Sequence, residues 1–279
     1  MAKETKISNG IVTAAISTHG AEVTSFKKIA DDIEMIWQRN PDYWSNCNPI
    51  LFPYTGALID GKYEINGQTY SLGQHGFARH AEFEFIDIKS DSCKLHLKHD
   101  DYTMSVYPYM FDLAVEYRLN GSRLEIKYCV TNMGEEDLPF NIGFHPAFNT
   151  PMVEGKKYED YYVELEQIEE LNNDKVQIGT TNKFMLKDYL LRGSWFFHNG
   201  HIQSKWAQLT DGTNAIRVGC EGFQTLGFWR KNEETPFMCI EPWHPKTDLK
   251  KAYTFRNDTE NNLLPPHQQF YCQYYFEIL

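Results

Sequence analysis

Apolar and polar positions alternate with a period of two through much of this chain, the spacing of a strand with one buried face. Glu82–Ile88 and Cys93–His99 alternate in this way. The run Phe111–Leu119 is followed by Asn120-Gly121 and then by Leu124–Val130, a strong short-range hairpin signal. Asp60–Tyr70 predicts a second hairpin, turning at Asn66-Gly67. Ile11–Ile16, Ala21–Phe26 after a His-Gly turn, Ala215–Gly219, Phe223–Trp229 and Phe270–Ile278 also read as strands. Helical spacing is scarce, with Lys187–Leu191 making one turn at best. Many short strands with closely spaced turn signals predict an all-β protein, a large twisted antiparallel β-sandwich. No linker-like or low-complexity run divides the chain, so residues 1–279 are expected to form one domain. No repeat is visible, which disfavours a propeller or solenoid.

One segment breaks the strand pattern in an informative way. The apolar run Thr235–Ile240 leads directly into Glu241, Pro242 and Trp243. A buried carboxylate must find partners or take up a proton. Proline is expected to stop the ladder there, leaving the indole as a flat face beside the acid. An acid beside an aromatic platform suits a sugar: the carboxylate manages a hydroxyl proton and the aromatic packs on the ring.

Two histidines are set among glycine and aromatic residues, in Gln74-His75-Gly76-Phe77-Ala78-Arg79 and in Asn141-Ile142-Gly143-Phe144-His145-Pro146-Ala147-Phe148-Asn149. Glycine allows close approach of backbone or ligand, aromatics exclude water, and Pro146 holds His145 extended. If the fold brings them to Glu241, the set suits paired acid–base chemistry near neutral pH. A histidine in an aromatic setting is more often a hydrogen-bonded core residue, and His19, His80, His96, His99, His198, His201, His244 and His267 are read that way. Metal binding is the competing use of two histidines and a carboxylate. There is no HExxH and no tight cluster of ligand types around either histidine, so no metal is expected. No GxSxG, P-loop or GxGxxG motif occurs.

Composition narrows the partners. The aromatic share is 15%, which favours strands, and the net charge of −11 with no basic patch argues against nucleic acid. The start of the chain has no apolar signal region and no run is long enough to span a bilayer, so a cytoplasmic protein with no membrane partner is expected. Six cysteines, far apart and without a CxxC pair, read as buried thiols.

Four segments in order carry a resemblance: Asn48-Pro49-Ile50-Leu51-Phe52-Pro53 with Gly56, His75-Gly76-Phe77-Ala78-Arg79, Gly143 to Asn149, and Cys239-Ile240-Glu241-Pro242-Trp243. Through most of its length the chain resembles the aldose 1-epimerase (galactose mutarotase) family, in its compact bacterial LacX-like branch. The resemblance implies a large β-sandwich and catalysis without metal or organic cofactor. It makes Glu241 the general base toward the C1 hydroxyl and His145 the general acid toward the ring oxygen, with His75 holding sugar oxygens. Arg79 joins the substrate-binding candidates, and Trp243, Trp229 and Phe77 are candidates for the sugar platform. Two departures stand out. Relatives usually carry an arginine after the glycine that follows Phe-Pro, where this chain has Ala57. The acidic sugar ligand of well-studied members has no match, since Asp211 sits in a Thr-Asp-Gly turn. The expected activity is interconversion of the α and β anomers of a free hexose. The alternatives are a non-catalytic sugar-binding or sensing protein and a hexose-phosphate epimerase, which would need a basic pocket. Neither the preferred sugar nor the oligomeric state is legible.

Overall fold

In the computed structural model, which describes residues 2–172, 177–188, 193–196 (backbone only), 202–244 and 262–279, two antiparallel sheets face each other in a twisted β-sandwich. The larger has nine strands in the order Gln177–Met185, Tyr162–Asn172, Trp206–Thr210, Ala215–Gly219, Gln269–Ile278, Arg123–Asn132, Phe111–Asn120, Ser92–Lys98 and Glu84–Ile88. The smaller has the order Gly193–Phe196, Thr225–Arg230, Phe237–His244, Ile142–Phe144 and Ile50–Leu51, with Ala147–Asn149 as a sixth strand pairing Phe237–His244. A three-stranded sheet, Glu4–Ser8, Val12–Ser17 and Val23–Lys28, lies beside them.

The long strands of the larger sheet show why the alternation was readable. Phe111–Asn120 and Arg123–Asn132 bury every second side chain and leave the other face toward water. Their turn gives Gly121 a φ of 58°, and the second hairpin has Asn66 at 50° and Gly67 at 78°. Those positive angles match the right-handed twist of the flanking strands. In contrast, Phe237–Trp243 is buried on both faces, which accounts for its continuous apolar run. Phe144 joins the layers: its ring stacks on Tyr128 and on Tyr274 of the larger sheet, each at 4.3 Å.

Two expectations need correction. The ladder does not stop at Pro242, because the strand runs through it to His244 and Leu226 pairs with Pro242 on one side. The N–H of Ile240 points to Pro146 on the other side. Period-two alternation puts the missing N–H of Pro242 on that same side, where the register sets it across from Phe144, next to the unpaired His145-Pro146 stretch, so a single ladder bond is lost. The helix Asp101–Val106 was also not foreseen. It opens with a capping box in which Asp100 accepts from the Thr103 N–H at 2.7 Å and Thr103 Oγ1 accepts from the Asp100 N–H at 2.8 Å. Of Lys187–Leu191, only Lys187 and Asp188 are described, in a turn, and Pro245 lies outside the described residues. No helix among the described residues is long and apolar enough to cross a membrane.

Candidate active site

The site grows from the pairing of one strand. Phe237–His244 pairs with Ala147–Asn149 toward one end (Ala147 opposite Cys239) and with Ile142–Phe144 toward the other (Gly143 opposite Trp243). The register is the same on either side of the gap, so His145 falls directly across from Glu241. Side chains of opposed residues share a face. Since Phe144 faces the larger sheet, alternation sends His145 and Glu241 to the opposite face of the smaller one. There His145 Nε2 lies 3.3 Å from Glu241 Oε1, with both side chains nearly inaccessible. On the other flank Gly227 stands opposite Glu241, contributing no side chain there, while Thr225 and Trp229 stand opposite Trp243 and Cys239. Trp44 lies over the His145 ring at 4.9 Å and Trp229 meets it edge-on at 5.1 Å.

His75 arrives through a parallel bridge between Phe52 and Gly76, next to Ile50–Leu51. Gly76 has φ 71°, and a Cβ there would sit 2.2 Å from the Phe52 carbonyl oxygen, so glycine alone fits. His75 itself takes φ 65°, a costly angle for an L-residue. Two bonds hold it: its N–H donates to the Gly56 carbonyl at 2.7 Å, and the Gly56 N–H donates to His75 Nδ1 at 3.0 Å. A nitrogen that accepts carries no proton, so the neutral ring bears its hydrogen on Nε2 as a donor. The ring meets His145 edge-on at 5.8 Å and Trp243 at 5.7 Å.

Burial governs the charges here. It lowers the His75 pKa to about 3, with the positive charge of Arg79 adding to the effect. It holds His145 well below its usual value, helped by His75 and Arg79. It pushes Glu241 well above the carboxylate range, against the opposing pull of the Trp243 indole and of Arg79. Arg79 is also lowered by burial, opposed first by Glu22 and then by Glu241. Burial therefore favours the neutral form of both groups, which leaves one proton on the pair. Adding sulfur to the set, the ligand atoms of His145, Cys239 and Glu241 all lie within 4.8 Å of one another. Local spacing showed no such cluster; the sheet makes it.

A family model for aldose 1-epimerase matches residues 3–259. The chain belongs to the aldose 1-epimerase family. It is 31% identical over 259 residues to the chromosomal protein LacX of Lactococcus lactis, covering 85% of this chain and 86% of that one. Among solved structures, a galactose mutarotase related enzyme from Lactobacillus acidophilus superposes with a TM-score of 0.90 at 29% identity, covering 99% of this chain and 97% of that chain. A galactose mutarotase-like protein from Lactobacillus casei gives 0.89 at 26% identity, covering 99% and 100%.

Of the residues singled out from sequence, Glu241, His145, His75 and Trp243 come together, with the charge of Arg79 acting on the first three. Phe77 does not join them. It is buried in the core against Phe52, Tyr107 and Phe111, with centroids at 6.2, 6.1 and 5.7 Å. Ala57 is exposed. Sequence reasoning missed Trp44, which no motif marks, and the Gly56 N–H, which no side chain announces. It also missed Glu22, a buried carboxylate that accepts from the N–H groups of Cys47 and Asn48, each at 3.4 Å.

Proposed function

We propose that this member of the aldose 1-epimerase family interconverts the α and β anomers of a free hexose, with Glu241 as base and His145 as acid. The contact of His145 Nε2 with Glu241 Oε1 at 3.3 Å in a buried setting carries this reading. The active form has a carboxylate at Glu241 and an imidazolium at His145. Glu241 takes the proton from the C1 hydroxyl while His145 gives one to the ring oxygen, and the C1–O5 bond breaks to the open aldehyde. Both groups are then neutral, the state that burial favours. After rotation about C1–C2, Glu241 returns its proton to the new C1 hydroxyl and His145 takes the ring oxygen's proton as the bond closes. One proton passes through the pair in each direction and nothing is consumed. The Nε2–H of His75 donates to a sugar oxygen, Arg79 supplies charged donors, and Trp243 or Trp44 packs on the ring. The whole chain, 1–279, acts as one domain in this reading, with both sheets contributing to a common core.

Polarimetry on freshly dissolved α-glucose and α-galactose tests it. The protein should accelerate the approach to equilibrium, and Glu241→Gln should lose on the order of 10²–10⁴-fold of that acceleration while still binding sugar. Sugar binding without acceleration in the wild type would replace this reading with a sensing role. Acceleration seen only with 6-phosphorylated hexoses would replace it with a sugar-phosphate epimerase.

A further inference from the structure

We infer that His145, Cys239 and Glu241 form a binding site for a thiophilic divalent cation such as zinc, and that its occupation reversibly stops turnover. Their ligand atoms lie within 4.8 Å of one another and all three residues are buried. Tetrahedral zinc with one sulfur, one nitrogen and one oxygen ligand separates those atoms by roughly 3.3–3.7 Å. The imidazole and carboxylate already meet at 3.3 Å. From the outer limit of 4.8 Å the thiol has to close by roughly 1.1–1.5 Å. Cys239 precedes Glu241 by two positions on one strand, so alternation puts its sulfur on the same face as the carboxylate. Across from Cys239 stand Ala147 on one flank, which brings only a methyl group, and Trp229 on the other.

The donor set selects the ion. Imidazole, thiolate and carboxylate suit zinc or cobalt, whereas magnesium and calcium require more oxygen ligands than this cluster offers. A thiolate and a carboxylate together neutralise a dication, which offsets the cost of burying it. His145 Nδ1 is buried with no hydrogen-bond partner among the described residues, so the ring can turn to a metal without breaking a bond there. Three protein ligands leave the fourth position to water. Binding uses both groups that move protons, so metal and turnover exclude each other; this second part rests on the mutarotase reading, whereas binding does not.

The test titrates the metal-free whole chain with cobalt as a spectroscopic probe. One equivalent should produce a thiolate-to-cobalt charge-transfer band in the near ultraviolet, and zinc should displace it. Cys239→Ser should remove the band and weaken zinc binding roughly tenfold or more. Cys129→Ser, at a half-buried thiol elsewhere in the larger sheet, should leave both unchanged. His145→Gln keeps the thiol and should also weaken zinc roughly tenfold or more, giving a second reading if Cys239→Ser fails to fold. In polarimetry, zinc should abolish wild-type acceleration, EDTA should restore it, and Cys239→Ser should resist the same zinc concentration. No band at one equivalent, or an undiminished band in Cys239→Ser, overturns the site. Binding at the site without loss of turnover overturns the inhibition. A protein inactive on every sugar still gives the cobalt result, so failure of the functional reading is separable from failure of the site.

Discussion

At the scale of single residues, the local environment decides what each titratable group can do. His75 is held neutral with its donor on Nε2, and its folded pKa of about 3 carries a consequence for stability. The unfolded imidazole takes up a proton near pH 6.5 while the folded one resists until about 3. Acidification across that window therefore favours unfolding, by at most about 1.4 kcal/mol for each pH unit. Denaturant midpoints measured from pH 7 down to 4 should fall accordingly, and His75→Gln, with an amide oxygen to accept from Gly56, should flatten that limb. The acid–base pair gives a second pH signature. Turnover needs one proton between His145 and Glu241, so kcat/KM should be bell-shaped, failing in acid when both are protonated and in alkali when neither is. A flat profile would remove one of the two from the reaction. Glu241 and His145 were recognisable because each interrupts an apolar run with chemistry. The tautomer of His75 was not, because it depends on a backbone N–H at Gly56, nineteen positions away.

At the scale of elements, glycines set how closely the site strands approach. A Cβ on Gly143 would lie 2.8 Å from Trp243 Cδ1 and 2.9 Å from Thr55 Cγ2. Gly143→Ala should force the indole aside, destabilise by about 1–3 kcal/mol, shift tryptophan fluorescence and raise KM more than it lowers kcat. An unchanged KM would show that Trp243 does not touch sugar. Strands with one wetted face were legible as alternation, as in Arg123–Asn132. Tyr162–Asn172 was not, since its register shifts between Glu164 and Glu169 and it buries a glutamate. The Glu169 carboxylate is satisfied by Ser204, from its N–H at 2.7 Å and its hydroxyl at 2.8 Å. A buried acid fed by a distant loop looks polar in a sequence and behaves as core in the fold.

At the scale of the whole molecule, the sandwich works as a platform. Phe144 lies between the layers, stacked on Tyr128 and Tyr274, one residue before the proposed acid. Phe144→Ala should cost about 3–5 kcal/mol of stability in denaturant titrations. It should also lower activity, because the adjacent His145 loses the anchor that fixes its place across from Glu241. Full activity at reduced stability would show that the ladder alone positions His145. The chemistry stands on the face of the smaller sheet turned away from the larger one. It is buried nonetheless, under Trp44 and the segment that delivers His75.

From sequence alone came the all-β class, the two tight hairpins, the family and the chemical identities of Glu241, His145, His75 and Trp243. All of these rest on local signals: period-two alternation, turn residues with positive φ, and short motifs in order. Tertiary structure decided the rest. It placed His145 across from Glu241 by a register that continues through two prolines, and it put Cys239 beside them. It sent Phe77 into the core and brought Trp44 over the imidazole. Burial by distant segments displaced every pKa in the site, because the cost of charge depends on surroundings that the residue's own neighbours in the chain do not supply.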